Sequence, residues 1–233
     1  MPSVQEVANE FANSELPIML LDTCILLDVV RSVHREIPRA ASAAVRLRES
    51  LDQQECRLAV SEVVRREWND NVPQVQEETI RHFSKMDEAA KIFHDICEDI
   101  NVELKFERPL YTECTLDQSL RQLSEDLLDL AFTIDIDTES NNRATRRIMT
   151  KTPPAGRGSE IKDCIILEQY LALGRQLIEV GSETCIVFCS SNTRDFCGAD
   201  RRPHAEIVAD LSQVGIDFAT KLDWANHLLF KEV

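Results

Sequence analysis

The sequence predicts an α/β protein, a three-layer α/β/α sandwich with a central parallel sheet, carrying an inserted helical lobe. Three observations lead there. Short, largely apolar runs at Ile18–Leu21, Arg57–Val60, Thr184–Cys189 and Ile216–Phe218 have the length and the β-branched or aromatic content of buried strands. Each is followed by apolar residues at helical spacing, the alternation expected of parallel strand–helix units. Between the second and third runs, residues 73–135 show helical periodicity throughout.

In chain order, residues 4–14 predict a short amphipathic helix leading into the first strand. Ile18-Met19-Leu20-Leu21 ends in Asp22 and Thr23, and Ile25, Leu26, Val29 and Val30 follow at helical spacing, with Thr23 as the expected N-cap. Ile37, Ala40, Ala41, Ala44, Val45 and Leu51 mark the next helix. After the second strand, Ser61 is placed to cap a helix over Glu62–Trp68. Within the long helical stretch, Ile80, Phe83, Ala90, Phe93 and Cys97 form one stripe, and Leu116, Leu120, Leu123, Leu127, Leu128, Ala131 and Ile134 form another. Both read as packing faces. Lys151–Ser159 holds two prolines and two glycines and reads as a loop, after which Ser159 caps a helix to about Leu173. Helices over Glu206–Val214 and Leu222–Phe230 flank the last strand.

At 233 residues with 43% hydrophobic content, the chain fits one sizeable core, so residues 1–233 are expected to form a single domain with 70–150 as a helical insertion. No apolar run reaches the roughly 20 residues of a membrane span, and the N-terminus lacks the pattern of a signal peptide. A cytoplasmic protein with no membrane contact is expected. The eight cysteines contain no C-x-x-C pair and read as reduced thiols. Cys189, Cys197 and His204 supply at most part of a zinc set, at a spacing that matches no common site.

The net charge of −15 argues against a protein-wide footprint for nucleic acid. Its distribution is uneven. From Glu98 to Glu139 there are twelve acids against three bases, whereas Arg143, Arg146, Arg147, Lys151, Arg157 and Lys162 follow with only Glu160 among them. The basic run is the expected path for an RNA backbone. The competing reading is that these arginines pair with the acidic lobe.

Asp22 ends a strand, where ligands collect in open α/β sheets. It is a candidate metal ligand or simply a cap for the next helix. Asp163 lies in the first turn of a later helix, Asp195 follows the strongest strand in Ser190-Ser191-Asn192-Thr193-Arg194-Asp195-Phe196, and Glu67 shares an early helix face with Val63 and Val64. Magnesium and manganese prefer oxygen ligands, and carboxylates brought together from separate positions can bind them. Two such ions could activate water and stabilise both oxygens of an in-line displacement.

These residues resemble the PIN-domain nucleases, a family that includes the VapC-type toxins. The likeness rests on Leu21-Asp22-Thr23-Cys24, Val63-Val64-Arg65-Arg66-Glu67, Lys162-Asp163-Cys164-Ile165-Ile166 and the Asn-Thr-x-Asp-Phe ending at Asn192–Phe196. It covers roughly residues 17–69 and 159–230, so the chain looks like a larger bacterial PIN protein with a helical insertion. The resemblance implies an endoribonuclease using Mg2+ or Mn2+, with Asp22, Glu67, Asp163 and Asp195 as metal ligands and Thr23 and Asn192 orienting ligands or phosphate. Asn192 stands where some members carry another acid. RNA is the implied substrate, with DNA left open; an antitoxin protein and a homodimer are further partner readings. A catalytically weak PIN-like module that binds RNA or protein is the alternative function. A phosphatase with Asp22 as nucleophile fits less well, because such enzymes need Asp-x-Asp after the first strand and Asp22 is followed by Thr23 and Cys24.

Overall fold

Five parallel strands make one sheet in the computed structural model, which describes residues 1–230 apart from Glu36, Phe106, Pro109 and 157–160. They are β1 (Ile18–Leu21), β2 (Arg57–Ser61), β3 (Phe132–Ile134), β4 (Ile186–Cys189) and β5 (Ile216–Ala219), in the spatial order β3-β2-β1-β4-β5. Every residue of β1 and β4 is buried, as continuous apolar runs in a sheet covered on both faces require. Strand order reverses at β1, which pairs with β2 on one side and β4 on the other. Ligands of open α/β sheets bind outside the strand ends at such a reversal.

The helices follow from the handedness of parallel crossovers. α2 (Thr23–Val30), α3 (Pro38–Asp52) and α10 (Leu222–Leu229) pack together on one face; α1 (Val4–Ala12), α6 (Thr138–Thr150), α7 (Ile161–Glu179) and α9 (Ala205–Gln213) occupy the other. α7 is tied to the sheet by polar bonds that set its height. The Tyr170 hydroxyl donates to the Leu21 carbonyl at 2.6 Å and accepts from Ser61 N, while Gln169 donates to the Asp135 carbonyl at 2.7 Å and accepts from Ser61 Oγ. Gly174 lets α7 approach the end of α9, since a Cβ there would stand 2.9 Å from Val214 Cβ.

The region expected to be wholly helical is more varied. α4 (Glu62–Asp99) begins at the Ser61 cap, as expected, but runs on through Pro73 for 38 residues. A proline inside a helix removes a hydrogen bond and costs about 3 kcal/mol. Burial of Trp68, Val72, Val75 and Phe83 on either side offsets that cost. A turn at Tyr111–Glu113 and α5 (Leu116–Leu130) follow, and Phe132–Ile134 then leaves the expected helical stripe to pair with β2 as an edge strand. Within the expected 70–150 insertion, β3 pairs with β2 and α6 packs on α7. Within it, the distal part of α4 exposes Ile92, Phe93 and Ile96, and the C-cap Ile100 is exposed as well.

Other local expectations need correction. Thr23 is the first residue of α2 rather than its cap, and Asp22 holds the cap position without a side-chain capping bond. Ser159, expected to cap α7, lies outside the described residues. None of the eight cysteines is joined in a disulfide. Among the described residues no helix is long and apolar enough to cross a membrane.

Candidate active site

Parallel register puts Leu21 beside Cys189, so the next residues, Asp22 and Ser190, leave the sheet side by side. Asp22 is 3% exposed, and its Oδ2 accepts from Ser190 Oγ at 2.5 Å and from Cys24 Sγ at 3.1 Å. Those bonds take the place of a capping bond. Burial raises the Asp22 pKa, against the lowering effect of Ser190 and Cys24 and with a further push from the Glu67 charge.

Glu67 reaches the same opening from the second turn of α4. Its Oε2 accepts from Thr23 Oγ1 at 2.9 Å, and its Oε1 lies 3.0 Å from Lys162 Nζ. Asp163, in the first turn of α7, accepts from Asn192 Nδ2 at 3.2 Å. Burial, then the charges of Asp22, Asp195 and Glu67, push its pKa up to about 8, with Asn192 opposing. Three carboxylates thus act on a fourth. Asp195 sits in α8 (Thr193–Phe196), its Oδ1 buried with no hydrogen-bond partner among the described residues and 4.0 Å from Arg194 Nε.

Asp22, Thr23, Glu67, Asp163 and Asn192 line one open cleft of about 580 Å³. Asp195 does not line it; it faces a neighbouring hollow of about 250 Å³ with Pro154, Cys197 and His204, although its charge reaches Asp163. Residues not singled out in the sequence complete the wall. Arg31, Arg35 and Arg194 bring positive charge to the cleft, and Arg31 is held by Asp28 at 2.9 Å, which also accepts from Ser191 Oγ. Arg31 is the C-cap of α2 and Arg35 lies in the turns beyond it, so no helical spacing from Asp22 marked them as neighbours of the site.

Among the described residues, no group of three or more Asp, Glu, His or Cys side chains stands ready-made to hold a metal ion. The donor set still fits a hard divalent cation: it consists of carboxylate oxygens, one oxygen of Asp195 is buried with no partner among the described residues, and burial reinforced by the neighbouring carboxylates holds a proton on Asp163 near neutral pH. Lys162 brings a positive charge to Glu67. Cys189, Cys197 and His204, read from the sequence as at most part of a zinc set, form no such group among the described residues.

The expected basic path divides. Arg147 is 8% exposed and bonded to Glu168 at 2.5 Å, to Asp210, and to the Pro153 carbonyl at 2.7 Å. It is an internal ion-pair residue, because its own bonds occupy the guanidinium that an RNA phosphate would need. Arg143 pairs with Glu139 on its own helix. Lys162 belongs to the acidic cleft, Arg146 and Lys151 are exposed, and Arg157 lies outside the described residues.

A family model described as PIN domain matches residues 19–196, a span that takes in Asp22, Glu67, Asp163 and Asp195. Comparison with curated proteins and with solved structures gave no match.

Proposed function

We propose a function from one premise: this chain belongs to the PIN-domain family, whose members are generally nucleases. The proposed activity is metal-dependent endonucleolytic hydrolysis of RNA at the acidic cleft. The observation that supports it best is the gathering of Asp22, Asp195 and Glu67 around the buried Asp163, whose pKa is pushed up to about 8 by burial first and by those three charges next. A protein tolerates such repulsion at the end of its central strand when a cation is to be bound there.

Asp22, Asp163, Asp195 and Glu67 would hold magnesium or manganese. Bound there, the ion would supply Lewis-acid polarisation of a phosphoryl oxygen and lower the pKa of a water. The chain's own groups do the rest. Ser190 and Cys24 fix the orientation of Asp22, Asn192 fixes that of Asp163, and the Thr23 hydroxyl holds Glu67 against the cleft wall. Arg31, Arg35 and Arg194 would meet phosphate oxygens and position the strand with little sequence preference.

The test is cleavage of end-labelled single-stranded RNA by the purified chain with magnesium or manganese, against a chelator control and a matched DNA. Metal-dependent internal cleavage is expected, falling at least 100-fold in Asp22→Asn and Asp163→Asn. Equal rates in either variant would remove that residue from the site. A second reading, a catalytically weak RNA- or protein-binding module, draws on the Lys162–Glu67 pair, which places a cation beside one candidate ligand; RNA binding without cleavage would favour it. Within the main reading, a cytoplasmic toxin restrained by an antitoxin is the narrower proposal, supported by the likeness of the Asp22 and Asn192–Phe196 motifs to VapC-type proteins. A small adjacent reading frame whose product binds this chain would support it. Sedimentation of the pure chain tests the homodimer.

A further inference from the structure

On the face of the sheet covered by α6, α7 and α9, a hollow of about 720 Å³ is lined by Arg143, Arg146, Arg147 and Arg175 together with Glu168 and Asp210. Four arginines against two acids leave it two positive charges in excess, within a chain of net charge −15. The two acids are both taken by Arg147. Arg143 has Glu139 beside it, and among the described residues neither Arg146 nor Arg175 has an ion-pair partner.

Arg175 is the informative residue. Its Nη2 is buried and has no hydrogen-bond partner among the described residues. Burial and the nearby Arg143 charge both work against its protonation, only partly offset by Glu168, Glu139 and Asp210. A buried guanidinium nitrogen left unpaired beside other arginines is unfavourable unless an anion completes the site. Thr150 and Thr152, with hydroxyls 2.8 Å apart, add neutral hydrogen-bonding groups to the same wall. Rigid packing defines the hollow, because Arg147 joins α6 to α7 and α9, and Gly174 closes α7 onto Val214 one residue before Arg175.

We propose that this hollow is a phosphate-binding site separate from the acidic cleft, with Arg146 and Arg175 as its principal ligands. The phosphate has two sources: a free nucleotide, or the backbone of an RNA strand whose scissile bond lies in the acidic cleft. The RNA source rests on the nuclease reading; the nucleotide source does not. Asp163 and Arg175 are twelve residues apart on α7, about 18 Å along its axis, so one extended strand can reach both. Planar guanidinium groups suit this task because they bind phosphate oxygens through two parallel bonds.

Equilibrium binding to the full chain in chelator tests the site without requiring cleavage. The probes are inorganic phosphate, adenosine monophosphate, and a 2′-O-methyl RNA dodecamer lacking terminal phosphates, each against wild type, Arg146→Gln and the Arg146→Gln/Arg175→Gln pair. Wild type should bind at least one nucleotide probe and gain thermal stability with phosphate. Arg146→Gln, exposed and outside the core, should weaken binding severalfold and the pair at least tenfold. Binding of the monophosphate assigns a free nucleotide; binding of the dodecamer alone assigns the RNA backbone. Equal affinity in wild type and both variants, or no binding of any probe, overturns the proposal. Loss of RNA cleavage with phosphate binding intact would count against the nuclease reading only.

Discussion

Lys162 Nζ lies 3.0 Å from Glu67 Oε1, immediately before Asp163 in sequence, so the residue preceding one candidate metal ligand neutralises another. The side chain of Lys162 is just over half exposed and that of Glu67 one-fifth exposed, which makes the pair partly screened and readily exchanged. A divalent cation bound in the cleft as proposed would compete with the ammonium for the same carboxylate.

Lys162→Met should therefore tighten magnesium binding severalfold while lowering the melting temperature of the metal-free chain, by up to about 1 kcal/mol of stability for a pair this exposed. Calorimetric titration with magnesium checks the first effect. Weaker binding in the variant would mean that Lys162 assists the cation rather than competing with it.

Asp163 sets the pH dependence of the metal-free fold. Its pKa is raised from 3.8 to about 8 in the folded chain, so between those values the folded state holds more protons than the unfolded state. Stability from this group is present at low pH and is lost as pH rises through about 8; the raised Asp22 works in the same direction. Urea midpoints in chelator should fall from pH 5 to pH 8.5, and Asp163→Asn should flatten the slope. A midpoint that rises with pH across this window contradicts the assignment.

Asp22→Asn should leave the metal-free chain as stable as wild type or more so. The substitution keeps an acceptor for Ser190 and Cys24 and removes a buried charge facing Glu67. Added magnesium should raise the melting temperature of wild type and do so less in the variant. Equal metal-induced shifts in the two proteins would place the ion elsewhere.

Arg147→Ala should be strongly destabilising, by about 3–5 kcal/mol, because it strands the buried Glu168 and the half-buried Asp210. Arg146→Ala, exposed on the same helix, should change stability by less than about 0.5 kcal/mol. Denaturant unfolding of the two single variants separates them; similar small effects would mean that the Arg147 network contributes little.

Gly174→Ala should cost about 1–3 kcal/mol, since the added methyl meets Val214 at 2.9 Å in packed surroundings. Thermal unfolding measures it. A neutral result would show that α9 can shift outward at little cost.

Local pattern made β1, β2 and β4 legible, because largely apolar runs too short for helices have few other places to go in a covered sheet, and β5 by the alternation of Ile216, Asp217 and Phe218. It also marked the Ser61 cap and the four candidate acids, each at a strand end or in an early helical turn, of which Asp22, Glu67 and Asp163 line one cleft. Tertiary structure alone decided the rest. Phe132–Ile134 is three residues long and became a strand by pairing with β2, a contact made across some seventy residues of chain. The Thr23 hydroxyl went to Glu67 instead of to its own helix, and Asp22 took Ser190 as partner from 168 residues away. Arg147 looked no different from Arg143 or Arg146 within a basic run, and its burial was set by Glu168 and Asp210 on two other helices. Periodicity records which face of an element turns inward; it holds no record of which distant charge or hydroxyl will be waiting there.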